Sequence, residues 1–249
     1  MKKYIILIIA AFTLGKATAQ DPRLVNANQL YAAGKFAESA QAYEDILKSG
    51  VESEALYFNL GNAYYKSGVL PRAILNYERA LLLDPDDKDV IYNLDLANSQ
   101  IADRINDVGH FFLKGWFVDL INKGTSDFWA WTGIAAFIIG LAAFGVFRYS
   151  PSTALKRTGF YISIGLLLVV VLAFSFSHQQ KDRLANRTEA IVFAPTVNVK
   201  SSPDNSGTDL FVIHEGTKVK ILETLGSWRK IQLRDGSQGW IPANDFEVI

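Results

Sequence analysis

The sequence contains no cysteine, only three histidines and one methionine, and its 25 Lys and Arg are balanced by 25 Asp and Glu. Without cysteine there is no disulfide, no thiolate nucleophile, no Cys-ligated metal and no acylated Cys to tether an exported chain. His110, His178 and His214 fall in three separate segments, so they assemble neither a metal set nor a catalytic triad. No Gly-rich phosphate loop, HExxH or GxSxG is found. Balanced charge argues against nucleic acid as a partner, because that affinity comes from an excess of Lys and Arg set against phosphates. The expectation is a protein that is not an enzyme and needs no cofactor. At 49% hydrophobic, it is apolar enough that part of its surface is expected to face lipid.

The apolar residues are concentrated in runs. Lys2 and Lys3 precede the run from Tyr4 to Leu14, and Ala17 and Ala19 stand at small-x-small spacing before Gln20. This reads as a secretory leader over residues 1–19, with an uncleaved anchor as the alternative. Residues 128–147 and 159–176 carry no charge and are each long enough to span a bilayer. Trp129 and Trp131 sit at the edge of the first run, as interfacial aromatics do. Arg148, Lys156 and Arg157 in the loop 148–158 favour a cytoplasmic hairpin tip, and the leader favours both flanks outside. The expected location is the bacterial inner membrane, with two spans and periplasmic N- and C-terminal domains. Neither run holds an ionisable residue, so the spans are expected to anchor rather than transport. Ala136 and Gly140 offer a small-xxx-small face for pairing. Before the first span, residues 105–127 interleave Phe111, Phe112, Trp116, Phe117 and Leu120 with Lys114, Asp119 and Lys123. That pattern suits an interfacial amphipathic helix, or alternatively one packed back on the preceding domain.

Residues 20–104 are periodic. Gly34 and Gly68, Tyr43 and Tyr77, and Asn59-Leu60 and Asn93-Leu94 recur 34 residues apart, the period of a helix-turn-helix solenoid. Leu60, Gly61, Tyr64, Ala73, Tyr77, Ala80 and Pro85 stand where the tetratricopeptide repeat motif has them, and the segment resembles that family. Ala27, Leu30, Gly34, Phe36, Ser39, Tyr43 and Ile46 fill equivalent slots in a preceding, weaker unit. After Pro85, a helix with Asp86 or Asp87 as its N-cap is expected to cap the stack. The acids Asp84, Asp86, Asp87 and Asp89 read as an inter-repeat turn, since no calcium-loop Gly and distal Glu accompany them.

After a linker at 177–188, residues 189–249 change to short alternating runs broken by Gly, Asn, Asp and Pro. "VNVKSSPD", "HEGTKVKIL" and "SWRKIQLRDGSQGWIP", with Trp228, the Asp235-Gly236 turn and Gly239-Trp240, resemble the bacterial SH3-like barrels. Both Trp residues are expected to serve as core or rim packing, because so small a domain needs large side chains.

The fold class expected is a multidomain membrane protein: an α-helical tetratricopeptide solenoid, two transmembrane helices and a small all-β SH3-like barrel. That order, with the "ADRI" stretch and the Trp-rich approach to the first span, resembles the BatE-type proteins of the Bacteroides aerotolerance operon. The resemblance implies an envelope scaffold partnered with membrane-anchored von Willebrand A-type proteins and an AAA-type ATPase. The alternative is a cell-wall sensor whose β domain binds peptidoglycan peptides. In the repeat register the first helix of each pair lines the binding face, which nominates Asn28, Asn59, Asn62, Tyr65, Lys66 and Asn93. The family's carboxylate clamp matches at Asn28 and Asn59, but Leu24 and Asp89 stand where its lysines belong, so an extended internal segment is the expected ligand.

Overall fold

The computed structural model describes residues 21–105 and 112–249; the expected leader and residues 106–111 lie outside the described residues. The chain divides after Val51 into two units.

In the first unit, α1 (Pro22–Ala32) pairs with α2 (Phe36–Lys48). The Asp21 side chain caps α1 by accepting from the Arg23 amide, and Pro22 suits the first turn, where its missing N–H is no loss. Ala27, Ser39 and Ala40 are buried where the helices meet, and the small side chains allow close approach. The Ser39 hydroxyl donates to the Ala27 carbonyl across that contact, 2.9 Å away.

The second unit opens with α3 (Glu54–Lys66) and α4 (Leu70–Leu83), followed by α5 (Lys88–Asn98). The turn between α3 and α4 repeats the one between α1 and α2, 34 residues on. Gly34 and Gly68 both take positive φ, 76° and 80°. In each turn the residue after the glycine donates to a carbonyl five residues back, Lys35 to Leu30 and Val69 to Tyr64. This is a Schellman closure, which requires the left-handed conformation that only glycine adopts without strain. A methyl group at Gly61 would lie 2.6 Å from the Tyr77 ring, so the ring packs directly on backbone. Asp87 caps α5, accepting from the amides of Asp89 and Val90.

Next come α6 (Phe112–Asn122), α7 (Ser126–Tyr149) and α8 (Thr153–Ala185). The last two are long and apolar enough to cross a membrane and form a hairpin. Both outrun the apolar segments in the sequence. The turn between them is only residues 150–152, and the expected linker is helical as far as Ala185. Ala, Leu, Lys, Arg and Gln in the flanks favour continued helix, whereas Pro151 cannot supply a helical N–H. Close approach occurs at Gly159, where a Cβ would lie 2.7 Å from the Ala143 carbonyl oxygen and 2.9 Å from the Phe147 nitrogen. Gly133 meets Ala173 and Phe174, and Ala136 is buried nearby. The outward sides are apolar and open, with Phe137, Ile138, Leu141, Leu167 and Leu168 exposed. Three hydrogen bonds tie the end of α6 to the hairpin. Trp129 Nε1 and Gln180 Nε2 donate to the Ile121 carbonyl at 2.9 and 3.0 Å, and Arg183 donates to Asn122 Oδ1 at 2.7 Å.

The remainder is an antiparallel sheet of β1 (Glu189–Val192), β2 (Thr196–Lys200), β3 (Asp209–His214), β4 (Lys218–Leu225), β5 (Trp228–Gln232), β6 (Gln238–Pro242) and β7 (Phe246–Val248). The strand order is β3-β2-β6-β5-β4-β1-β7, so β3 and β7 form the edges. Gly236 turns β5 into β6 at φ 87°, as the Asp235-Gly236 pair leads one to expect. The core is aliphatic, built from Val192, Val197, Val199, Ile213, Val219, Ile231 and Ile241 among others. Trp228 and Trp240 are not part of it. Strand alternation puts them on the face opposite Ile231 and Ile241, half-buried, so β-branched residues rather than indoles fill this small core.

Replacing Gly159 with Leu is expected to destabilise the hairpin by roughly 1–3 kcal/mol through overpacking. Gly145→Ala, where nothing lies within 4 Å of the added methyl, should leave stability unchanged or raised by at most about 1 kcal/mol. Thermal unfolding of the detergent-solubilised chain, followed by circular dichroism, checks both.

Candidate interaction surfaces

Asn59, Asn62 and Lys66 share one face of α3 through their spacing of three and four residues. Asn62 Oδ1 accepts two hydrogen bonds, from the Tyr77 hydroxyl at 2.8 Å and from Asn93 Nδ2 at 3.0 Å. It therefore joins α3 to both α4 and α5. Tyr65 accepts from Gln100 just beyond α5. Lys66 is exposed in the last turn of α3, and Asn59 is half-buried. The structure thus brings Asn62, Tyr65 and Asn93 into one polar seam. Asn28 lies in the first unit, where its Oδ1 accepts from the Tyr43 hydroxyl at 2.6 Å. The Asn28–Tyr43 and Asn62–Tyr77 pairs are the same contact one repeat apart. Their oxygens brace helix pairs, which leaves the amide NH2 groups as donors.

A second constellation joins the helices to the sheet, and the sequence did not disclose it. Asp103 follows α5, and both of its carboxylate oxygens engage the turn from β3 into β4. Oδ2 accepts from the His214 amide and the Thr217 hydroxyl, each at 2.6 Å, and Oδ1 lies 2.8 Å from His214 Nδ1. Gly216 in that turn, at φ 85°, lies so close to Ile101 that a Cβ would sit 2.6 Å from its methyl. Ile105 packs against the β core. From α4, Glu78 meets Lys218 at 2.8 Å, and Lys218 also meets Glu189 at 2.9 Å. Arg79 reaches Glu247 at 2.9 Å and the Val248 carbonyl at 2.8 Å. Burial alone would raise the Asp103 carboxyl, but the hydrogen bonds from Thr217 and His214 outweigh it and hold the group below its usual range. Burial would likewise lower the Lys218 ammonium, and the carboxylates of Glu78 and Glu189 reverse that and hold it high.

Residues 61–100 match the family described as TPR repeat, and residues 195–247 match the bacterial SH3 domain. Among solved structures, the chain is similar to the C-terminal SH3 domain of myosin IB from Entamoeba histolytica bound to an EhFP10(GEF) peptide. That likeness has 28% identity and a TM-score of 0.16, and covers 23% of this chain and 95% of that one. A second structure of the same domain gives 28% identity and a TM-score of 0.16 over 22% and 93%. No curated protein matches the chain. Both matched families are interaction modules without catalytic machinery, and among the described residues no group of three or more His, Asp or Glu is placed to hold a metal. The chain thus carries a repeat segment and a bacterial SH3 segment, each of a kind that serves as an interaction module.

Asn62→Ala is expected to lower stability by about 1–3 kcal/mol, since it removes the acceptor of two interhelical bonds. Lys66→Ala should stay within about 0.5 kcal/mol; urea unfolding separates the two. The Asp103 contribution, from a depressed carboxyl, is present above the unfolded value near about 3.9 and is lost as pH falls through the lower folded value. The Lys218 contribution, from a raised ammonium, is present below about 10.4 and is lost as pH rises through the higher folded value. The melting temperature should accordingly be flat from about pH 5 to 9 and drop below about pH 4.

Proposed function

We propose that this protein is a membrane-anchored scaffold that holds partner proteins at the surface of the bacterial inner membrane, with α7 and α8 as its two spans. The observation that carries this is the direct docking of the repeat helices on the SH3-like domain through Asp103, Glu78 and Arg79. Two domains separated in sequence by a helical hairpin can touch only if the hairpin returns the chain to the side it left. The leader expected at 1–19 and the cations Arg148, Lys156 and Arg157 near the hairpin tip support a periplasmic location for both domains. The exposed Trp116 and Phe117 on α6 support its lying in the interface. Closure of the seven strands into a small barrel belongs to the same reading.

The resemblance to BatE-type proteins supports von Willebrand A-type proteins and an AAA-type ATPase as partners, held by an extended segment along Asn59, Asn62, Tyr65 and Lys66 of α3. A second reading, a sensor of peptidoglycan peptides, draws support from Trp228 and Trp240, which stand half-exposed on the outer face of the sheet beside Pro242 and Lys200.

Alkaline phosphatase fused after Ile249 should be active, and the same reporter inserted at Pro151 should be silent; the reverse pattern contradicts the topology. Capture of envelope proteins by the full chain should weaken with Asn59→Ala and Lys66→Ala combined and persist with Trp240→Ala. Loss of cell-wall fragment binding with Trp240→Ala alone favours the sensor.

A further inference from the structure

The geometry points to a binding site for the phosphate of an anionic phospholipid headgroup in the cavity where α4, α6, the end of α8 and the sheet converge. This inference rests on the membrane reading of α7 and α8. The cavity measures about 470 Å3 and is lined by four cations, Arg183, Arg187, Lys218 and Lys220, but by only two carboxylates, Glu78 and Glu189. Both carboxylates bind Lys218, at 2.8 and 2.9 Å. The other three cations share what remains of the Glu189 charge and a long 4.0 Å contact from Arg187 to Glu52. Arg183 bonds the neutral carboxamide of Asn122, and Lys220 stands opposite Glu189 across β1 and β4, so that one carboxylate faces Lys218, Lys220 and Arg183 together. Like charges gathered around one cavity repel each other, and a bound anion relieves that repulsion. Guanidinium groups add planar, paired donors that match phosphate oxygens.

The position selects the source of the phosphate. Arg183 lies seven residues beyond Phe176, where the apolar stretch of α8 ends, which is about 10 Å along the helix. The headgroup layer extends roughly 5–8 Å beyond the hydrocarbon, and an Arg side chain can reach back across the difference. A neighbouring cleft shares Leu82 and Pro85 with the cavity and runs past Ser126, Lys181 and Leu184 toward the hairpin. A glycerophosphate entering from the membrane would follow that cleft, with its acyl chains on the exposed apolar sides of α7 and α8. The cavity is also larger than a lone phosphate requires.

The test uses the full chain in a neutral detergent, titrated with phosphatidylglycerol, phosphatidylcholine or inorganic phosphate, with melting temperature and native mass spectrometry as readouts. Phosphatidylglycerol should raise the melting temperature and remain bound, and phosphatidylcholine should not. Arg187→Gln combined with Lys220→Gln should weaken phosphatidylglycerol binding by about tenfold or more. Lys156→Gln with Arg157→Gln, at the far end of the hairpin, should leave it intact. Equal binding by the Arg187/Lys220 variant overturns the site, and full stabilisation by inorganic phosphate alone overturns the lipid assignment. Cosedimentation with phosphatidylcholine vesicles keeps the two readings apart. A wild-type chain that fails to cosediment refutes the anchor and the lipid with it. One that cosediments but gains nothing from phosphatidylglycerol refutes the cavity alone.

Discussion

The Glu78 carboxylate on α4 constrains the whole second unit. From Ala73 to Glu78, six consecutive residues are buried, with Glu78 only 7% exposed. A helix at a protein surface buries one stripe, so six in succession require neighbours on every side. The helices α3 and α5 supply two of these, and β1 with the end of α8 supplies the rest. A carboxylate in that position must meet a cation, and Lys218 of β4 meets it at 2.8 Å. Such a pair adds little net stability over an apolar substitute, but losing one partner typically costs about 3–5 kcal/mol. It therefore specifies the docking: the sheet sits where Lys218 reaches Glu78, and the Asp103 contacts fix the neighbouring turn.

The expected cap of the repeat stack was a helix alone, and the structure adds to it. The face of α4 that lies away from its partner helices is covered by the sheet, and residues 101–105 run from α5 into the β core through Ile101, Asp103 and Ile105. The SH3-like module thus shields the apolar flank of the last repeats, as a terminal element of a solenoid must. On α3, Asn59 is half-buried and Lys66 is exposed.

What could be read from the sequence was local. The 34-residue period predicts equivalent turns, and Gly34 and Gly68 close them with the same hydrogen bonds. The Asp235-Gly236 pair and the uncharged runs were equally legible, because each depends on a few adjacent side chains. Long-range pairings carry no such pattern. Asp103 sits in "ADRI", and nothing in its neighbours reveals His214 more than a hundred residues away. Lys218 and Glu78 look like surface charges until the fold buries one of them. Asn62 was nominated as a binding residue because its register is right, and the same register brings its oxygen to Tyr77. For Trp228 and Trp240, core and rim packing were equally compatible with the sequence, and the fold leaves both half-buried outside a core that valine and isoleucine fill.

Hydrogen exchange of the chain, read by mass spectrometry over residues 212–218, tests most directly whether the helices α3 to α5 and the sheet form one docked body. The His214 amide donates to Asp103, so Asp103→Ala should speed exchange in that turn by about tenfold or more while β5 and β6 stay protected. Unchanged exchange in the turn would contradict the docking.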